Sequence, residues 1–179
     1  MADEERAVDL SQAFEGFGED YRHAGLKVIV TDNFGPRIKI KQEIACGVGG
    51  QLWDAAYLLA QYVCRMYPGS MSHLRVLELG AGCALPSIVS CIKGAQVTAT
   101  DIPPVLALTQ SNLALNAGLF AGTYTAQELD WTNASHRTAL AGPYDIVLMS
   151  DLFYMPVSPN LESRRCTAID PFRGDFSGN

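Results

Sequence analysis

Much is missing from this chain of 179 residues, and each absence removes a class of function. No apolar run approaches the length of a bilayer-spanning helix. The N-terminal MADEERAVDLSQAF has neither a basic leader nor an apolar stretch behind it, which argues against secretion. There are five cysteines, Cys46, Cys64, Cys83, Cys91 and Cys166, an odd number with no C-x-x-C pair. Neither a disulfide framework nor a metal site is therefore expected, and a reducing, cytoplasmic compartment fits. Basic residues are short as well: 13 Lys and Arg, scattered, against 19 Asp and Glu, for a net charge of −6. Binding a phosphate backbone needs a basic face, so nucleic acid is not an expected partner. Repeats and low-complexity tracts are absent. What remains is 48% hydrophobic and 18% charged, a composition that folds as one globular domain with a real core.

The stretch Arg75 to Asp101, RVLELGAGCALPSIVSCIKGAQVTATD, organises the rest. An apolar run (Val76, Leu77, Leu79) is broken only by Glu78. Gly80-Ala81-Gly82 follows, then apolar residues at helical spacing from Leu85 to Lys93, a stop at Gly94, and a second apolar run ending on Asp101. This reads as strand, glycine turn, helix, strand: one βαβ unit with a ligand crevice at the carboxyl ends of its strands. The dinucleotide fingerprint G-x-G-x-x-G is only partly matched, because Leu85 stands at the third glycine. Asp101 suits a ribose diol, since a carboxylate accepts from both hydroxyls. Glu78 fits badly beside a pyrophosphate and well beside an ammonium or sulfonium, which favours S-adenosylmethionine over NAD.

Around this unit the chain reads in order. Leu26–Thr31 and Arg37–Gln42 form a β-hairpin across the turn cluster at 32–36. Gly47–Gly50 is a glycine-rich joint. Leu52–Tyr67 is an amphipathic helix with Trp53 and Asp54 in its first turn, stopped by Pro68-Gly69. A helix from Pro103 runs through Val105, Leu108, Asn112 and Leu115 to Gly118. Its Asn112 and Asn116, one turn apart, face either sheet ends or solvent. Further strands end near Leu129 and at Asp151. Four parallel strand tips, at Gly80, Asp101, Trp131 and Asp151, should line one sheet edge.

Together GGQLWDAAYLLAQYV (49–63), VLELGAGCALPSI (76–88), QVTATD (96–101), ELDW (128–131) and DIVLMSDLFY (145–154) resemble the lysine methyltransferase-like branch of the seven-strand, class I S-adenosylmethionine-dependent methyltransferases. The resemblance covers roughly residues 25 to 155. It implies an α/β fold: a Rossmann-like, doubly wound, mostly parallel sheet preceded by a β-hairpin. It implies S-adenosylmethionine as cofactor, with Gly80, Ala81 and Gly82 under its methionine and ribose part. Asp101 would hold the ribose, Trp131 would lie against the adenine, and Trp53, Glu78 and Ser150 would line the cofactor. Asp151 and Tyr154 would form the catalytic acceptor end. The implied activity is N-methylation of a lysine in a protein substrate, of the chaperone or translation-factor kind, in the cytoplasm or also the nucleus. His23, His73 and His136 have no place in it.

The family fold continues with three more strands, whereas 25 residues follow Tyr154 and show neither strand alternation nor a helical stripe. The sequence therefore reads as a flexible lead-in over 1–24, a methyltransferase domain over 25–155 incomplete at its C-terminus, and a disordered or foreign tail over 156–179. Two other functions stay open: a catalytically inactive binding module, and an NAD-binding α/β enzyme disfavoured by Leu85.

Overall fold

A computed structural model describes residues 26–31 and 33–152. Expectations for residues 1–24, for Tyr154 and for 156–179 lie outside the described residues.

Two strands, β1 (Leu26–Thr31) and β2 (Ile38–Glu43), form an antiparallel hairpin with Ile29 opposite Ile40. Along β2, Ile38, Ile40 and Gln42 are buried while Lys39 and Glu43 are exposed, the period-two burial its sequence requires. The chain then winds through a 3-10 segment, Ile44–Gly50, kinked at Gly47, where the sequence suggests only a joint. Helix α1 (Asp54–Met66) buries Tyr57, Ala60 and Val63. Its acidic first residue complements the helix dipole. Trp53 sits at the cap position, one residue earlier than the sequence suggests.

The remaining elements alternate: β3 (Arg75–Leu79), α2 (Leu85–Ile92), β4 (Gln96–Asp101), α3 (Pro103–Asn116), β5 (Thr123–Glu128), α4 (Ala134–Thr138) and β6 (Ile146–Met149). All four of these strands pair in parallel, in the spatial order β5-β4-β3-β6. Parallel neighbours need crossovers, and α2 and α3 supply two of them. The order in which strands are added switches sides at β3, with β4 and β5 on one side and β6 on the other. That switch point opens a crevice at the carboxyl ends of the strands.

Alternation along β3 divides the core. Val76 packs with Val97, Ala99 and Leu148 in the cluster that also holds Ile38, Ile40, Val63, Leu85 and Ile88. Leu77 and Leu79 pack on the other side with Leu129, Trp131, Tyr144 and Leu152. Leu77, Leu85, Ile88 and Leu113 are fully buried, each contributing about 1.5–3 kcal/mol relative to exposure. Helix α4 has no counterpart in the sequence reading. It has five residues, begun by the Asn133 side chain accepting from Ser135 N.

Candidate active site

A cavity of about 490 Å³ lies at the carboxyl ends of the four parallel strands, a size suited to a nucleoside-bearing small molecule. Each strand tip contributes: Gly80 to Cys83 after β3, Asp101 and Ile102 after β4, Asp130 to Thr132 after β5, Ser150 to Leu152 after β6. The far wall comes from the hairpin side, with Cys46, Val48, Gly49 and Gln51 to Trp53.

The glycine turn is built by alternating left-handed residues. Gly80 has φ +59 and Gly82 φ +52, and Ala84, at the cap of α2, has φ +61. A Cβ on Gly80 would run into Leu152 and lie 3.5 Å from the Trp131 ring, so the backbone here approaches the cavity in a way only glycine allows. Asp101 fixes the turn from beneath. Its Oδ2 accepts from Gly82 N at 2.7 Å and its Oδ1 from Ile102 N at 2.8 Å. Each oxygen keeps a lone pair for a further donor. Burial pushes the Asp101 carboxyl above its ordinary value, and the two backbone N–H groups pull it back.

The turn after β5 is held by α4. His136 Nδ1 accepts from Asp130 N at 3.1 Å, and the Arg137 guanidinium donates to Trp131 O at 2.7 Å. Asp130 Oδ1 accepts from the Thr132 hydroxyl at 2.6 Å and from Thr132 N at 2.9 Å, which keeps its carboxyl below the usual range. Trp131 is thereby fixed against the glycine turn. On the opposite wall Trp53 is 44% exposed, and its indole N–H donates to Val48 O at 2.8 Å. Asp151 is exposed at the cavity with φ +54, a left-handed conformation rare outside glycine and often found at functional turns.

Of the residues singled out from the sequence, Trp53, Gly80, Ala81, Gly82, Asp101, Trp131, Ser150 and Asp151 therefore meet around one cavity. Glu78 does not. It is 1% exposed and faces α2, where its Oε2 accepts from Ser87 N at 2.9 Å and from the Ser87 hydroxyl. Burial lifts its carboxyl to about 8, against the two Ser87 bonds, and the Asp101 charge adds to the rise. Burial thus favours the neutral form of Glu78, and the side chain is turned away from the cavity, where a sulfonium would want negative charge. Its position explains this: β3 alternation turns residue 78 toward the helices. Ile102, Asp130 and Thr132 also line the cavity, and their adjacency to Asp101 and Trp131 was the available signal. Cys46, Val48 and Gln51 had none.

The fold and the cavity together define a class I, Rossmann-like methyltransferase architecture. Residues 31–163 match the lysine methyltransferase family, and the chain belongs to that family. It is 33% identical over 138 residues to EEF1A lysine methyltransferase 3 of Mus musculus, covering 76% of this chain and 54% of the relative. It is 34% identical over 123 residues to protein N-lysine methyltransferase METTL21A of Danio rerio, covering 66% and 55%. The histone-arginine methyltransferase METTL23 of Rattus norvegicus is 32% identical over 125 residues, covering 66% and 52%. The chain thus spans about half the length of these relatives. Among solved structures, the T. thermophilus 16S rRNA N2 G1207 methyltransferase RsmC, in complex with AdoMet and guanosine, shares the fold at TM-score 0.53 and 17% identity, over 75% of this chain and 34% of that one.

Proposed function

We propose that this chain binds S-adenosylmethionine in the strand-tip cavity and acts in the N-methylation of a lysine side chain on a protein. The observation that carries the reading is the convergence of the Gly80–Gly82 turn, Asp101, Trp131 and Asp151 on one cavity. The residues fit the cofactor. Gly80 and Gly82 give the turn its left-handed backbone at the cavity, Asp101 has acceptor capacity for two ribose hydroxyls, and the Trp131 ring offers an apolar face. When bound, the cofactor supplies an electrophilic methyl group on a sulfonium.

The chain's own residues then bind and orient. Trp131 and Ile102 would hold the base, and the Gly80–Gly82 turn would hold the sugar and amino-acid part. Ser150 would line the cofactor, and Asp151 would stand at the acceptor end. A lysine amine, with an ordinary pKa of about 10.4, must lose a proton before it can react. Entry into the cavity lined by Trp53 and Leu152 would disfavour its charged form. Asp151 favours the ammonium instead, so its role is to capture and aim the amine, with water removing the proton. Placement in line with the methyl supplies most of the rate. Tyr154 is assigned to the same acceptor end from the sequence pattern alone.

The acceptor is a protein, and a translation factor or chaperone is the class we favour. EEF1A lysine methyltransferase 3 supports the first by its name. A cytoplasmic or nuclear site of action accords with four free cysteine thiols among the described residues. No helix among the described residues is long and apolar enough to cross a membrane. The test is calorimetric titration of the folded chain with S-adenosylmethionine, beside Asp101→Ala. Saturable heat that Asp101→Ala abolishes is expected. A folded wild-type chain that takes up no S-adenosylmethionine, or takes up NAD instead, refutes the reading. Transfer of labelled methyl to lysate protein, lost in Asp151→Asn while cofactor binding persists, tests the acceptor end.

A further inference from the structure

We infer that Asn112 is a positioning residue that locks the two walls of the cavity to each other, so that cofactor affinity depends on a helix residue that does not line the cavity. The inference rests on the proposed cofactor reading. Asn112 and Asn116 are buried and lie one turn apart on α3. Asn112 Oδ1 accepts from Lys41 N at 2.7 Å, and its Nδ2 donates to Lys41 O at 2.9 Å. Asn116 repeats the pattern on Lys39, accepting from its N–H at 2.9 Å and donating to its carbonyl at 2.8 Å. Four helical residues rise about 6 Å and two strand residues about 6.8 Å, near enough for two amides to serve as a stand-in strand along the outer edge of β2. The hairpin is thus docked by side chains rather than by a backbone ladder.

The two asparagines differ in one respect. Asn112 Nδ2 also donates to Cys83 O at 3.1 Å, inside the glycine turn, whereas the second bond of Asn116 Nδ2 goes back to Asn112 O at 2.8 Å within the helix. One turn earlier on α3, the Thr109 hydroxyl donates to Gly82 O at 2.8 Å. Val105, a turn before that, meets Gly49 so closely that a Cβ there would lie 2.7 Å from its Cγ2. A single face of α3 therefore holds the glycine turn on one side and the hairpin with its following 3-10 segment on the other. Asn112 is the residue bonded to both. Cys46, Val48 and Gly49 continue directly from β2 into the cavity wall, so Asn112 joins that wall's strand to the cofactor turn by hydrogen bonds, beside the packing of Val105 on Gly49 and of Gly49 O against Gly82.

Asn116 is the internal control: it makes the same strand-like bonds to β2 but none to the glycine turn. The experiment compares wild type, Asn112→Ala and Asn116→Ala by calorimetric titration with S-adenosylmethionine, alongside thermal unfolding of each protein without cofactor. Both variants are expected to melt at lower temperature. Asn112→Ala is expected to weaken cofactor binding by about tenfold or more and Asn116→Ala by less than about threefold. Equal weakening in the two, or unchanged affinity in Asn112→Ala, overturns the inference. Should Asn112→Ala fail to fold, Thr109→Val removes the bond to the Gly82 carbonyl together with a longer one, 3.4 Å, to Val105 O within the helix. It is expected to weaken binding by about threefold or more, and unchanged affinity overturns the inference as well. Absence of binding by the wild-type chain would remove the cofactor reading itself, and this inference with it.

Discussion

Replacing Glu78 by Gln should stabilise the protein, and by an amount that grows with pH. Glu78 is buried beneath the glycine turn, and burial lifts its carboxyl from 4.5 to about 8. Ionising it is harder in the folded chain than in the unfolded one. As pH rises above about 4.5 the unfolded chain releases this proton first, and the folded state loses stability until pH passes about 8. At about 1.4 kcal/mol for each tenfold change, that rise sets a ceiling of about 5 kcal/mol. Between about pH 5, where the unfolded carboxyl is already mostly ionised, and about pH 8, where the folded one is half ionised, the loss is on the order of 3–4 kcal/mol. Domains of this size are stable by only about 5–15 kcal/mol, so the effect is measurable. Gln has no proton to lose, and its carbonyl can still accept from Ser87 N, now at 2.9 Å from the carboxylate. Urea unfolding of both proteins across this pH range isolates the contribution, because Asp101 and every other titrating group is common to the two. The stability gap should widen steadily toward pH 8. A gap that stays constant would mean that Glu78 is ionised in the folded chain throughout, and the reasoning would be wrong.

Gly80→Ala forces a side chain into a left-handed position against Leu152 and Trp131. It should cost about 1–2 kcal/mol of stability and abolish cofactor uptake, read by urea unfolding and calorimetry; retained affinity would remove the cradle argument. Trp131→Ala should weaken S-adenosylmethionine binding by about tenfold or more, while Trp131→Phe, which keeps a ring face, should recover most of it. Equal loss in both would point to the Arg137-held turn rather than the ring. Burial pushes the Cys83 and Cys91 thiols up to about 12. Mass spectrometry after iodoacetamide treatment near pH 8 should find both unmodified in the folded chain and modified in urea, because the thiolate is the reactive form. Rapid native labelling of either would contradict the packing around α2.

Local pattern was enough for the strand-turn-helix-strand unit around Gly80. Glycines, a proline in the first turn of α2 and apolar spacing are all short-range properties, and the structure repeats them from Arg75 to Asp101. The strand tips were legible too, since every crossover returns the chain to the same end of a parallel sheet. Seven of the residues named from the sequence, Gly80, Ala81, Gly82, Asp101, Trp131, Ser150 and Asp151, meet at one cavity for that reason.

Pattern could not say which way Glu78 points. An acid between two apolar residues is compatible with either sheet face, and only the pairing of β3 between β4 and β6, with α2 above it, decided that the carboxyl is buried on Ser87. Nor could the sequence tell whether Asn112 and Asn116 meet backbone or water. Their partners, Lys41 and Lys39, are some seventy residues away in the chain. The same holds for the hairpin-side wall at Cys46 to Trp53, which reaches the cavity because α3 draws β2 alongside the glycine turn. Short-range stereochemistry and periodicity thus wrote the central unit into the sequence. The closure of the site is a matter of long-range contacts, whose partners no local spacing identifies and which exist only once the chain has packed.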